Sequence, residues 1–196
     1  MPLRYSPEPQ NGAGLVRDGL NRVAARKSHL TSKGIDFGAL QLKPPHVIYD
    51  LRADEIAKGG GLATAHRAGV RYMVHTADGA VASAEVQTDA AGKATLLTSL
   101  NYGPFVTATA RALDQLAALS PVRETDYEVR LLRFSAIAMV AIWLKGDHGE
   151  PDIIYPLAPA PDVLQAEKPY TEAEFLKAVL PIAQKRTASQ AGQMMP

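Results

Sequence analysis

The chain contains no cysteine. Disulfides, thiolate nucleophiles and zinc–sulfur sites are therefore excluded together, and no redox compartment is indicated. Aromatic residues make up only 6% of the 196 positions, with a single tryptophan. They are not interleaved with basic residues as they are in binders of single-stranded nucleic acid. An excess of one charge is missing too. The net charge is +1, so no overall field draws the protein to nucleic acid or to an anionic membrane. Long apolar runs are equally absent. The longest, FSAIAMVAIWL, covers residues 134–144 between Arg133 and Lys145. It falls short of the roughly 18 to 20 residues that a bilayer span requires. The opening stretch MPLRYSPEPQNGAG has no apolar segment of the secretory kind. These absences lead to the expectation of a soluble, cytoplasmic protein with no membrane contact and no cofactor.

What is present is the composition of an ordinary globular domain, 46% hydrophobic and 21% charged, long enough for one substantial core. Residues 1–14, rich in Pro, Gly and polar side chains, are expected to form a disordered arm. Residues 187–196 lack apolar periodicity and are expected to fray, which leaves 15–186 as a single α+β domain. Charge is segregated along the chain. Residues 1–45 hold seven Lys/Arg against three Asp/Glu, and residues 114–174 hold five against eleven. Two solvated surfaces, or a basic helix packed across an acidic face, both follow from this.

From Leu15 to Lys33 the apolar positions Val16, Leu20, Val23, Ala24 and Leu30 repeat at helical spacing, with Gly34 as a C-cap and Arg17, Arg22 and Arg26 on the outer side. KPPHVIYDL reads as an extended entry and a short strand over 46–51. RADEIAKGGG reads as one or two helical turns. GVRYMVHT, AVASAEVQ and ATLLTSL then alternate as three strands, the first two joined by Asp78-Gly79, a strong hairpin cue. Pro104 opens a helix that Pro121 stops, with Val106, Ala110, Leu113, Leu116 and Ala117 on its apolar stripe. Residues 127–145 and 152–158 read as a second hairpin. Neither set of alternate positions in 134–144 is polar, so that run predicts one strand buried on both faces. Thr171 and Glu174 form a capping box for a last helix, which Pro181 should kink or shorten. The sum is an α+β fold with an antiparallel sheet of about five to six strands, a meander plus a hairpin, packed against helices.

Chemistry is sparse. The histidines, His29, His46, His66, His75 and His148, include no HExxH pair. The turn GDHGEPD gathers Asp147, His148, Glu150 and Asp152, oxygen and nitrogen donors for a cation, without the twelve-residue calcium-loop pattern. KGGGLATAHRAG is glycine-rich but lacks both GxGxxG and the GxxxxGK[ST] loop. No GxSxG elbow occurs, and Ser135 lies inside the apolar run. The candidates that remain for a catalytic site are His66, His75 and Asp78. The leading expectation is a non-catalytic binding or assembly protein. A hydrolase-like enzyme with a site built from His66, His75 and Asp78 is the alternative. A nucleic-acid accessory protein using Arg17, Arg22 and Arg26 is a further one, and a net charge of only +1 stands against it. A strand apolar on both faces needs two covers, and a symmetric homodimer would supply one of them. Burial of Ile137, Met139, Val140 and Ile142 is expected. A cavity beside Met139 and Trp143 would instead mark that run as the wall of a ligand site.

Overall fold

The computed structural model describes residues 3–26 and 34–193. In chain order the elements are β1 (Leu3–Arg4), α1 (Gly12–Ala24), β2 (Gln41–Leu42), β3 (His46–Asp50), α2 (Ala53–Ala57), β4 (His66–Thr76), β5 (Gly79–Thr88) and β6 (Ala94–Asn101). They continue with α3 (Pro104–Ala117), α4 (Ser120–Glu124), β7 (Tyr127–Phe134), β8 (Met139–Gly146), β9 (Ile153–Pro156) and α5 (Glu172–Gln193). Among the described residues nine strands form one sheet with the path β6-β5-β4-β3-β7-β8-β9, β1 joining β7 and β2 joining β4.

The class is α+β, but the sheet is mixed rather than antiparallel. β3 pairs antiparallel with β4 and parallel with β7, and β1 also runs parallel to β7. Parallel neighbours need a long connection between them. Here that connection is the whole meander plus α3 and α4, a separation that local periodicity does not register.

The meander β4-β5-β6 forms where alternation and turn chemistry place it. Gly79 has φ 129 and Thr76 pairs with Gly79 across the turn, the positive φ that favours glycine in a tight hairpin. The capping box also forms. The Thr171 amide donates to Glu174 Oε2 at 2.9 Å, and the Glu174 amide donates to Thr171 Oγ1 at 3.3 Å. The first helix differs from its expectation. It starts at Gly12 and ends at Ala24, with Ala25 as C-cap, so Gly34 does not cap it, and residues 27–33 lie outside the described residues. Within 3–14, expected as a loose arm, Leu3 and Arg4 pair with Tyr127 and Glu128 of β7. Leu3 and Tyr5 pack against the core beneath α3. Over the expected tail, α5 continues to Gln193.

FSAIAMVAIWL is not one strand. β7 ends at Phe134, Ser135–Ile137 makes a 3₁₀ turn, and Ala138 takes a left-handed conformation at φ 51 and ψ 33 before β8 starts at Met139. Phe134 and Met139 then face each other across a hairpin. No Gly, Asn, Asp or Pro marks this turn, and a left-handed alanine costs roughly 1–2 kcal/mol. The apolar hairpin arms that flank it are held strongly enough to impose that conformation. Met139 and Ile142 are buried, while Ile137 and Val140 are only half-buried.

Both faces of the sheet are covered within one chain. On one side α3 and α4 lay Ala108, Ala112, Leu116 and Val122 over Ile48, Val129, Leu131, Ile142 and Leu144. On the other side α1 sets Val16 and Leu20 on Val70, Tyr72, Val74, Ala82 and Ala84. α2 and α5 set Ile56, Phe175 and Val179 on Leu132, Phe134, Ala141 and Trp143 of the same side. Close seating of α1 depends on Gly12 and Gly19, where a Cβ would run into the Tyr72 hydroxyl and the Leu97 side chain. Between α1 and α5, Arg130 lies over the rings of Tyr49 and Trp143 at 4.9 and 4.7 Å. Met139 and Trp143 are in packed core, 1% and 3% exposed. The two faces of the sheet are thus covered by helices of the same chain, and neither Met139 nor Trp143 lines any of the five cavities described.

Ile142→Asp should abolish folding, because an unpaired carboxylate in this core costs several kcal/mol, on the order of 4. Ile137→Asp, on the turn, should leave cooperative unfolding intact and lose about 1 kcal/mol. Urea melts of the two variants check this. Equal losses would contradict a turn at 135–138.

Candidate ligand-binding cavity

β2 and β3 both pair with β4, but their ladders are interrupted between them. Leu42 pairs with Val74 and His46 with Arg71. The intervening Pro44 and Pro45 have no amide hydrogen to donate. The Lys43 amide still reaches Met73 O at 2.9 Å, and the chain bows away before re-entering the sheet at His46. A cavity of about 180 Å³ lies at this interruption, lined by Tyr5, Lys43, Pro44, His46, Met73, His75, Ala110, Leu113 and Asp114. The sheet supplies one wall. Ala110, Leu113 and Asp114, at positions i, i+3 and i+4 of α3, form the other, since such residues share one helical face. Tyr5 closes a side because β1 is docked on β7.

His46 is the unusual member. It has no exposure to solvent, and neither Nδ1 nor Nε2 has a hydrogen-bond partner. Burial, reinforced by the guanidinium of Arg71, pushes its pKa down to about 3. It is a neutral imidazole at any physiological pH, with one donor and one acceptor to offer. Leaving such groups unpaired costs about 1–3 kcal/mol each. His75 is also held below the usual histidine range, by burial and then by Lys43, with Asp114 acting in the opposite sense. Burial, and then Asp114, raise the Tyr5 hydroxyl above its ordinary value.

Arg71 points away from the cavity into an ion-pair chain. Its Nε and Nη2 both donate to Glu85 Oε1, the former at 3.0 Å. Glu85 Oε2 accepts from Arg133 Nη1 at 3.1 Å, and Arg133 holds Asp50 through Nε at 2.7 Å and Nη2 at 3.1 Å. Hydrogen bonding to Asp50 above all keeps the Arg133 pKa above its usual value. Two guanidiniums meet two carboxylates, so the chain is internally neutral. It borders an open groove that also takes in Ser83, Ser99, Asn101 and Phe105.

The structure separates the residues singled out from sequence. His66 begins β4 and bonds Glu55 Oε1 at 2.8 Å through Nε2. His75 sits near the other end of the same strand, nine residues and about 30 Å away at the rise of an extended chain. Asp78 is exposed in the turn beyond it, its amide donating to Thr76 Oγ1 at 3.2 Å. His75 alone of the three reaches the cavity. Of the turn residues, Asp147 pairs with Arg4, and His148 is exposed with φ 55. Asp152 is turned inward, accepting from Trp143 Nε1 at 2.8 Å, Lys145 Nζ at 3.1 Å and the Gly146 amide at 3.2 Å. Glu150 points a buried Oε2 inward without a partner. Among the described residues no three His, Asp or Glu side chains are placed to hold a metal ion. Arg17 and Arg22 are exposed, but five positions put them about 140° apart around α1, and Arg26 lies beyond its end. The basic residues therefore form no single face. Lys43, His46, Tyr5 and Asp114 were not singled out by sequence. The signal available was Pro-Pro directly before a histidine at a strand start.

No protein-family model matches the chain, and no match was found among curated proteins or solved structures.

An unfolded histidine titrates near pH ~6.5, whereas His46 in the fold resists protonation until about pH 3. Between these values the unfolded state binds a proton that the native state refuses. The stability tied to neutral His46 is therefore complete above pH ~6.5 and lost as pH falls towards 3, on the order of 5 kcal/mol over the window. His46→Leu should flatten the dependence of urea-melt stability on pH in that interval. Unchanged slopes in the variant would show that His46 is not buried as the neutral form.

Proposed function

We propose that the protein is a non-catalytic binding protein and that its ligand is a small molecule held in the cavity between β3, β4 and α3. The observation that carries this reading is the fully buried His46, unpartnered at both ring nitrogens, on the wall of a largely apolar space. A buried polar group without a protein partner calls for one from outside the chain, a ligand or a bound water. The chemistry of that histidine favours recognition over proton transfer. With a pKa pushed down to about 3 it carries no proton to give at neutral pH, and it is a feeble base, whereas effective acid–base groups titrate near the working pH. A hydrolase-like reading would need His66, His75 and Asp78 together, and the fold holds them apart.

Size limits the ligand. A dry cavity of about 150 Å³ admits benzene, so about 180 Å³ fits one substituted ring. The ligand rests its ring on Met73, Ala110 and Leu113, and its polar tip points towards His46, whose ring nitrogens are closed off from the space in this structure and are reached only if the wall yields.

The probe that tests this is p-cresol, one ring with one hydroxyl. At saturation it should raise the melting temperature of the wild-type protein, since a ligand at 100 times its Kd adds about 2.7 kcal/mol, and it should shift the His46 ring signals in NMR spectra. His46→Leu should lose the response. Ala110→Leu, which fills the space and leaves His46 in place, should lose it as well. A response preserved in both variants, or absent from the wild type, would sink the proposal.

A further inference from the structure

The cavity is lined by two charged residues, both exposed to solvent. Lys43 enters from the sheet wall and Asp114 from the α3 wall. Neither is in an ion pair among the described residues. They are not paired with each other, because they stand on opposite walls with the space between them. Both act on His75, Lys43 disfavouring its protonation and Asp114 favouring it. Elsewhere the same face pairs its charges, as Arg71, Glu85, Arg133 and Asp50 do. The lining thus has three parts. Lys43 and Asp114 are charged, Met73, Ala110 and Leu113 are apolar, and His46 is neutral and hydrogen-bonding.

We infer that the ligand is a free α-amino acid with a single-ring, polar-tipped side chain, its carboxylate meeting Lys43, its ammonium meeting Asp114 and its ring inserted towards His46. A zwitterion is the class that satisfies a cation and an anion placed apart across one opening. A singly charged ligand satisfies one and brings no partner to the other, and a neutral one satisfies neither. The charged head stays nearest solvent, where desolvation costs least. The ring occupies the apolar stretch with its tip towards His46, whose ring nitrogens are closed off in this structure, so pairing there requires the wall to yield. Tyr5 and His75 flank the head without adding net charge. This assignment rests on the proposed binding role of the cavity.

Isothermal titration of the whole protein with four probes tests it. They are L-tyrosine, tyramine (no carboxylate), 3-(4-hydroxyphenyl)propionate (no ammonium) and p-cresol (neither group). L-Tyrosine should bind more tightly than each of the other three by roughly ten- to a hundredfold, the range of one lost charge-assisted hydrogen bond. Lys43→Met should erase the preference over tyramine and keep the preference over the propionate. Asp114→Asn should do the reverse. Binding of p-cresol as tight as that of L-tyrosine would overturn the amino-acid assignment and leave the cavity as a ligand site. So would a tyrosine preference that survives in both variants. Failure of all four probes, p-cresol included, would overturn the binding role itself and this assignment with it.

Discussion

Strand β3 is five residues long and carries the join between two half-sheets. On one edge it pairs antiparallel with β4 of the meander, and on the other it pairs parallel with β7 of the hairpin half. The ion-pair chain crosses the same seam, linking Asp50 of β3, Arg71 of β4, Glu85 of β5 and Arg133 of β7. Side chains from four strands are thereby tied together. Such a network contributes less than its Coulomb attraction suggests, because four charges lose hydration. Its importance lies in what removal of one member does. Glu85 is buried and answers both guanidiniums, so its loss would strand Arg71, itself buried, without a carboxylate. The network fixes which strand lies beside which more than it deepens the well.

That seam also decides where empty space is left. Because β2 and β3 share one edge of β4 and are separated by two prolines, the sheet has a gap that no backbone bond can close. α3 is laid across the gap, and its small Ala110 does not fill it. Packing elsewhere is tight enough that a Cβ at Gly12 or Gly19 would force the Tyr72 hydroxyl or the Leu97 side chain to shift. A void beside such packing, with an unsatisfied histidine in its wall, is a local cost in stability, and it is the feature on which the proposed binding role rests.

How far the sequence discloses this architecture depends on how local each determinant is. The hairpin at Asp78-Gly79 and the capping box at Thr171 and Glu174 are set by residues two or three apart, and both are legible. The turn at 135–138 is also local, yet illegible, because Ser135, Ala136, Ile137 and Ala138 carry no turn chemistry and are bent by the strands around them. The parallel seam is illegible for a different reason. Strands buried on both faces read as continuous apolar runs whichever way they point, so Leu131 and Leu132 do not disclose that β3 is their neighbour. The cavity is hardest of all. Tyr5, His46, His75 and Asp114 come from four separate segments, and only the interrupted ladder brings them together. His75 was visible as one of a few histidines, whereas nothing in the spacing of Lys43 and Asp114 relates them.

The docking of β1 on β7 has a bearing on the order of events during folding. Contacts between residues far apart in sequence are slow to form, because loop closure must precede them. The meander, with its short turns, can form early, and so can α3 against it. Tyr5 cannot take its place until β7 has emerged and paired with both β3 and β1. The two long walls of the cavity are thus early structure, and its remaining side is late structure. A partly folded chain therefore has a wider cleft here than the finished protein, and the last side of the pocket arrives with the last part of the sheet to assemble.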